Sequence, residues 1–270
     1  MGINMLEIFQ YSFMIRAFIA GLAVGIIAPL IGSFLVVKRF SLIADTLSHI
    51  ALAGVAIGLI TGIHPLLTTV VVTTLASVAI EQIRTSKNVP GEAILAMFLP
   101  GGLALSIVLL SLAHGFNVNL FSFLFGSIST VQDSDLWLIV TMAIITILTI
   151  IWFYKKLLYA AFDEESAKIS GVHTKGMNIL LVMLTAVTVS LAMRVVGILL
   201  IGALMVIPVI TATQMARSFK QSMIFSVGFA LISVFVGLFL AYYLDLPAGG
   251  AIVLLSLAIF IVVAFFLKRK

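Results

Sequence analysis

Of the 270 residues, 63% are hydrophobic and only 9% are charged, and the mean hydropathy is +1.31, a balance that excludes a soluble globular domain and indicates an integral membrane protein. The net charge of +5 comes from short basic clusters between apolar runs, which is the pattern of membrane-protein loops and not of a nucleic-acid surface. The absence of cysteine excludes disulfides and thiolate sites for Cu(I) or zinc, so any metal ligands must be Asp, Glu, His, Met or backbone oxygen.

Apolar runs long enough for a hydrocarbon core of about 30 Å recur from end to end, which predicts helices and not barrel strands. The runs predict nine spans, at 13–37, 43–60, 65–83, 93–112, 136–153, 177–193, 195–216, 223–244 and 248–267; eight or ten remain compatible with the punctuation. The first run starts near Tyr11 and leads directly into further spans without a small-residue cleavage site, so it is expected to be a permanent helix. Gly21, Gly25 and Gly32, like Gly54 and Gly58, recur at spacings that let helices approach closely. The stretch between Asn117 and Asp135 is too short and too rich in serine to span, and suits an interfacial or re-entrant segment.

Lysine and arginine set the orientation. If Lys38/Arg39, Arg84/Lys87, the Lys155 to Lys175 loop, Arg217/Lys220 and the Lys268 to Lys270 tail face the cytoplasm, all of the 15 basic residues are inside except Arg16 and Arg194. The N-terminus is then outside and the C-terminus inside, as an odd number of spans requires. Glu7, Asp133, Asp135 and Asp245 fall outside with His64 and His114, where they draw in cations, dock a basic patch or serve as solvated loop caps, Asp133 and Asp135 standing at a helix start.

Three stretches bear on function. Asp45 and His49 stand four residues apart at the start of the second span, so a carboxylate and an imidazole share one helical face. Ionisable groups in such a setting mark a cavity, a path or an interface, because exposing a charge to lipid costs several kcal/mol. The pair suits borderline first-row cations, and two ligands make the weak site that passage requires. The plainer alternative is a helix cap at Asp45 and a hydrogen bond from His49 to a neighbouring helix.

The second stretch is the polar insert at about 154–176, in which Asp163, Glu164 and Glu165 open a short helix that Gly171 can close. It is either a solvated loop or a docking surface. In the third, 197–212, Gly197, Gly202 and Pro208 predict a kinked or broken helix, of the kind that lines a transport path or merely adjusts packing. No Walker A loop, HExxH helix or Ser-His-Asp pattern is present, so no catalytic apparatus is expected in this chain.

The runs VVKRFSLIADTLSHIALAGVAIG from Val36, FDEESAKISGVHT from Phe162 and GILLIGALMVIPVITA from Gly197, with the FGSIST and LPAGGA turns at Phe125 and Leu246, carry a resemblance to a known family. The chain resembles the membrane-spanning permease of ABC importers that take up manganese, zinc or iron(II) with a cluster A-I type binding protein, and the likeness runs almost end to end. The resemblance implies an all-α type II importer fold in a single transmembrane domain over 1–270, and a homodimer in a bacterial plasma membrane with the pore on its two-fold axis. It also implies two cytoplasmic ATPase subunits and an extracellular metal-binding lipoprotein. Asp45 and His49 would then line the pore as a transient, water-completed metal station, with two of each around the axis. Asp163, Glu164, Glu165, Ala167, Ile169 and Gly171 would form the coupling helix, with Ala167 and Ile169 as the knob that enters the ATPase cleft. No tightly bound cofactor is expected; the metal is cargo. Two other classes stay open on the residues: a proton-driven secondary transporter with Asp45 and His49 as relay, and a membrane scaffold.

Overall fold

The computed structural model describes residues 7–86, 90–112 and 120–267. Regular structure among them is helical: α1 (Ser12–Val37), α2 (Leu42–Thr61), α3 (Pro65–Ser86), α4 (Gly91–Leu112), α5 (Leu120–Phe125), α6 (Asp133–Phe162), α7 (Glu164–Ile169), α8 (Thr174–Ala192), α9 (Ile201–Thr213), α10 (Phe219–Tyr243) and α11 (Ala248–Leu267). Helices satisfy their own backbone, which is the condition for crossing hydrocarbon. Lys87, His114 and Lys268 to Lys270 fall outside the described residues.

Eight helices, α1 to α4, α6, α8, α10 and α11, are long and apolar enough to cross a membrane. The expected seventh span differs from them because it is broken. Residues 193–200 form turns, and α9 has 13 residues, about 20 Å of helix against a core of about 30 Å. The break lies at Gly197, whose φ of +86° is left-handed. Its Cα rests on the backbone of α5, and a Cβ there would come 2.5 Å from the Leu124 carbonyl oxygen. Backbone bonds fill the gap: the Ile198 and Leu199 amides donate to the Phe123 and Leu124 carbonyls at 2.9 and 3.1 Å. The 120–130 segment is thus a short helix docked on the broken span. Pro208 lies within continuous helix, so the irregularity expected of this stretch is confined to its first half.

The insert is shorter than expected, because α6 runs for 30 residues to Phe162. The run KKLLYAAF consists mostly of good helix formers and carries the helix past the apolar stretch. The extended backbone of Asp163, with φ of −148°, stops it.

α1 packs against α6, α8, α9 and α10, while α2 sits between α3 and α4 and reaches α8 and α9. The outward faces of α4, α6 and α11 leave Met97, Trp152, Leu254 and Phe265 exposed, an apolar surface that suits lipid. Close crossings occur at the small residues expected to provide them: Gly32 lies on the Met205 carbonyl, and a Cβ at Gly54 would stand 2.5 Å from Thr69 Cα. At Gly101 a Cβ meets nothing within 4 Å. Gly54→Ala is therefore expected to destabilise the protein by about 1–3 kcal/mol through forced separation of α2 and α3, and Gly101→Ala to leave it unchanged. Thermal unfolding of both variants in one detergent checks this; equal midpoints would exclude the close α2/α3 crossing.

Candidate functional site

α2 begins after a tight reversal at 38–41. Arg39 is left-handed, with φ of +55°. The Arg39 and Phe40 amides donate back to the Val36 and Leu35 carbonyls at 3.1 and 2.9 Å, which closes the C-terminus of α1 as a Schellman turn does. Phe40 is buried and carries the Arg84 guanidinium 5.4 Å above its ring, which fixes the turn from the α3 side.

From Ile43 to Ala56, every residue of α2 is buried except Asp45 and His49. Neighbouring hydroxyls are satisfied within the helix: Thr46 donates to the Leu42 carbonyl at 3.0 Å and Ser48 to the Asp45 carbonyl at 2.7 Å. Their protons are therefore not shared with the Asp45 carboxylate. The Asp45 carboxylate lies directly over Gly202 in the first turn of α9, where any Cβ would collide with Oδ1. His49 is held through its backbone, since the Ser106 hydroxyl of α4 donates to its carbonyl at 2.8 Å. Its buried Nδ1 has no hydrogen-bond partner. A carboxylate and an imidazole thus share one face of α2, and among the described residues no group of three or more His, Cys, Asp or Glu side chains could hold a metal ion.

The six-residue α7 is the second feature. The Asp163 carboxylate caps it, accepting from the Ser166 amide at 3.0 Å and the Ser166 hydroxyl at 2.5 Å. Those bonds hold the Asp163 carboxyl below the usual carboxylate range, the hydroxyl first and the amide second. Gly171, with φ of +82°, closes the far end, and the Val172 amide donates to the Ala167 carbonyl at 3.0 Å. Glu165 points outward, whereas Glu164 turns inward and accepts from the Asn178 side chain at 2.9 Å. Ile169 is 88% exposed, but Ala167 is fully buried in its own chain. Ala167, which with Ile169 is expected to form a docking knob, lies on the inner face of α7 in the single chain, and Ile169 projects.

A model described as the ABC 3 transport family matches residues 10–267. The chain belongs to the ABC 3 transport family. It is 34% identical over 254 residues to a "Probable metal transport system membrane protein" of Treponema pallidum, covering 94% of this chain and 95% of that protein. It is 34% identical to the manganese import system permease protein ScaB of Streptococcus parasanguinis, with 97% and 92% covered. To the high-affinity zinc uptake system membrane protein ZnuB of Haemophilus influenzae it is 30% identical, with 97% and 99% covered. Among solved structures, PsaBC from Streptococcus pneumoniae in complex with Fab superposes with a TM-score of 0.86 at 32% identity, over 97% of this chain and 93% of that one. A putative metal-chelate type ABC transporter in an inward-facing conformation shares the fold at a TM-score of 0.68 and 17% identity.

At the end of the bundle opposite α7, this ABC 3 family member carries an ionic knot. Asp133 is exposed and pairs with Arg16 at 3.0 Å. Asp135 caps α6, but it is not the solvated cap considered from sequence: it is fully buried, 3.3 Å from Arg194 Nε and 3.4 Å from His64 Nε2. Arg194 also lies 5.1 Å over the Phe123 ring, and its carbonyl accepts from the Ser127 amide at 3.2 Å, so the knot pins the 120–130 segment to the broken span. The signal for it was the isolation of Arg194 in an apolar run, a cation that has to find an acid. Glu81, buried on α3 and bound by Arg84 through two bonds of 2.7 and 2.8 Å, had no comparable signal.

The Asp163 cap predicts a pH dependence. Because the folded carboxyl lies below its ordinary value, its contribution to α7 is complete above the unfolded pKa and is lost as the pH falls through the folded one. Hydrogen exchange at the Ser166 amide should stay protected down to the acid side of the usual carboxylate range. In Asp163→Asn it should be less protected at neutral pH and nearly insensitive to acid.

Proposed function

We propose that this chain is the permease subunit of an ATP-driven importer of divalent transition-metal ions, Mn²⁺, Zn²⁺ or Fe²⁺, and that Asp45 and His49 are its transient metal ligands. The observation that carries the reading is their joint exposure on a helix otherwise buried over this stretch, with Gly202 leaving room for the carboxylate. The names of the relatives, which concern manganese and zinc uptake, support the cargo class. Two copies of the chain in a bacterial plasma membrane would bring two Asp45 and two His49 side chains to a common axis, and water would complete the shell. A station this incomplete in each copy holds an ion weakly enough to release it.

In this reading the basic ends face the cytoplasm, with the N-terminus outside. A metal-loaded lipoprotein docks at the opposite, Asp133-bearing end and delivers the ion. ATPase subunits bind below, where Ile169, Glu165 and Lys168 of α7 face outward. ATP binding and hydrolysis in those subunits move α7, and alternating access passes the ion across Asp45 and His49. Hydrolysis belongs to the separate ATPase chain. Asp and His serve the three metals alike, so choice among them rests with the binding protein.

The test is uptake of ⁵⁴Mn²⁺ and ⁶⁵Zn²⁺ by proteoliposomes that hold the assembled complex and its binding protein. Asp45→Ala and His49→Ala should each lower uptake at least tenfold, a loss of about 1.4 kcal/mol or more of transition-state stabilisation, with assembly intact. Gly202→Ala should do the same through displacement of the Asp45 carboxylate. Wild-type uptake in Asp45→Ala would remove the pair from the path. Metal movement by the permease alone, driven by a pH gradient, would instead establish a secondary transporter.

A further inference from the structure

α7 touches the bundle mainly through α6 and α8, yet one side chain from the end of α1 and one from α8 close a ring with its own Glu164. Lys38 follows the last residue of α1 and donates through Nζ to Asn178 Oδ1 on α8. Asn178 Nδ2 donates to Glu164 Oε1 at 2.9 Å. Glu164 Oε2 returns to Lys38 Nζ at 3.6 Å. The Lys38 side chain is 11% exposed and Asn178 3% exposed, whereas the Glu164 side chain is 43% exposed, so Lys38 and Asn178 depend on the ring while Glu164 keeps access to water. Burial pushes the Lys38 ammonium below the ordinary lysine range, and the nearby Glu164 carboxylate opposes that shift. An ammonium so placed costs free energy unless its partners stay put, and removing one partner of a buried pair is severe.

Lys38 belongs to the stiff reversal that starts α2. Its own amide donates to the Phe34 carbonyl at 3.0 Å, Arg39 and Phe40 are tied back to α1, and the Ile43 and Ala44 amides donate to the Phe40 and Ser41 carbonyls at 3.2 Å. The reversal therefore moves as one piece with the first turn of α2, which carries Asp45. Glu164 is the first residue of α7 and the only one of its two acids turned inward.

We infer that Lys38 is a positioning residue which, with Asn178, transmits displacement of α7 directly to the start of α2 and so to the Asp45/His49 station. The inference rests on the importer reading above. The polar ring is the short path between the two. The alternative path runs up α6 or α8 and across their packed faces to α1 and α2.

The test uses the complete complex with its ATPases and binding protein in liposomes, with ATP hydrolysis and ⁵⁴Mn²⁺ uptake measured in parallel. Lys38→Met should leave hydrolysis present but lower uptake per ATP about tenfold, within the range typical of a site-to-site coupling. The swap Lys38→Glu with Glu164→Lys should recover most of the ratio, because the Asn178 amide can turn over to serve the reversed pair. Anchoring of α7 alone would lower stability, hydrolysis and uptake together and leave the ratio unmoved. If Lys38→Met does not assemble, Asn178→Asp keeps the volume and sets a second carboxylate against Lys38 in competition with Glu164; the same drop in ratio is expected. Spin labels on exposed Leu42 and on Ser170, which follows the last residue of α7, supply a second readout: their separation should stay fixed through the nucleotide cycle in the wild type and vary in the variants. A wild-type ratio in Lys38→Met, or in Asn178→Asp where that variant replaces it, overturns the inference. Absence of ATP-driven uptake by the wild-type complex overturns the importer reading instead.

Discussion

The structure depends on the refusal of hydrocarbon to hydrate anything. Each polar group placed at membrane depth must find its partner inside the chain, and the helices answer this locally. Ser33, Thr69, Thr73 and Ser190 each return a hydroxyl to the carbonyl four residues earlier, at 2.7 to 2.8 Å. Charges answer it in pairs, Glu81 with Arg84 and Asp135 with Arg194. Asp45 and His49 are only partly buried on a helix otherwise buried over this stretch, and this is why they read as a place where something else completes the bonding.

The two ends of the bundle use polar groups for different purposes. At the Asp135 end the knot fastens a short docked helix onto a broken span, making one surface out of segments that cannot cross the membrane on their own. At the α7 end, the Lys38, Asn178 and Glu164 ring fastens a small amphipathic helix to the start of α2. Between them lies the site, walled by the first turn of α9 and the middle of α4. The broken span serves both neighbours: its turns receive the 120–130 segment, and its helical half brings Gly202 under Asp45.

Much of this was legible in the chain. Apolar run lengths place the eight long helices within a few residues except at the far end of α6, Gly171 and Asp163 mark the limits of α7, and the i, i+4 spacing alone puts Asp45 and His49 on one face. What stayed hidden depends on residues far apart in sequence. Asp135 reads as a solvated cap until Arg194 and His64 arrive from other elements to bury it. The burial of Ala167 depends on the rotation of a six-residue helix, which is too short for a periodic pattern. The Lys38 ring could not be read because Asn178 stands 140 residues away, and neither residue is unusual by itself. The overrun of α6 was obscured by Lys155 and Lys156, whose charge signals the end of the membrane but not the end of the helix.

That overrun has a consequence for the geometry of assembly. Thirty residues make a rod of about 45 Å, and the hydrocarbon takes up about 30 Å of it when the rod stands upright. The remainder sets α7 roughly 15 Å clear of the oily layer, beyond much of the headgroup zone. α6 thereby acts as a stilt whose length determines how far α7 stands from the lipid. Its helical pitch determines in which direction α7 faces, so the two settings cannot be altered independently: each residue added to the rod lifts α7 by about 1.5 Å and turns it by about 100°.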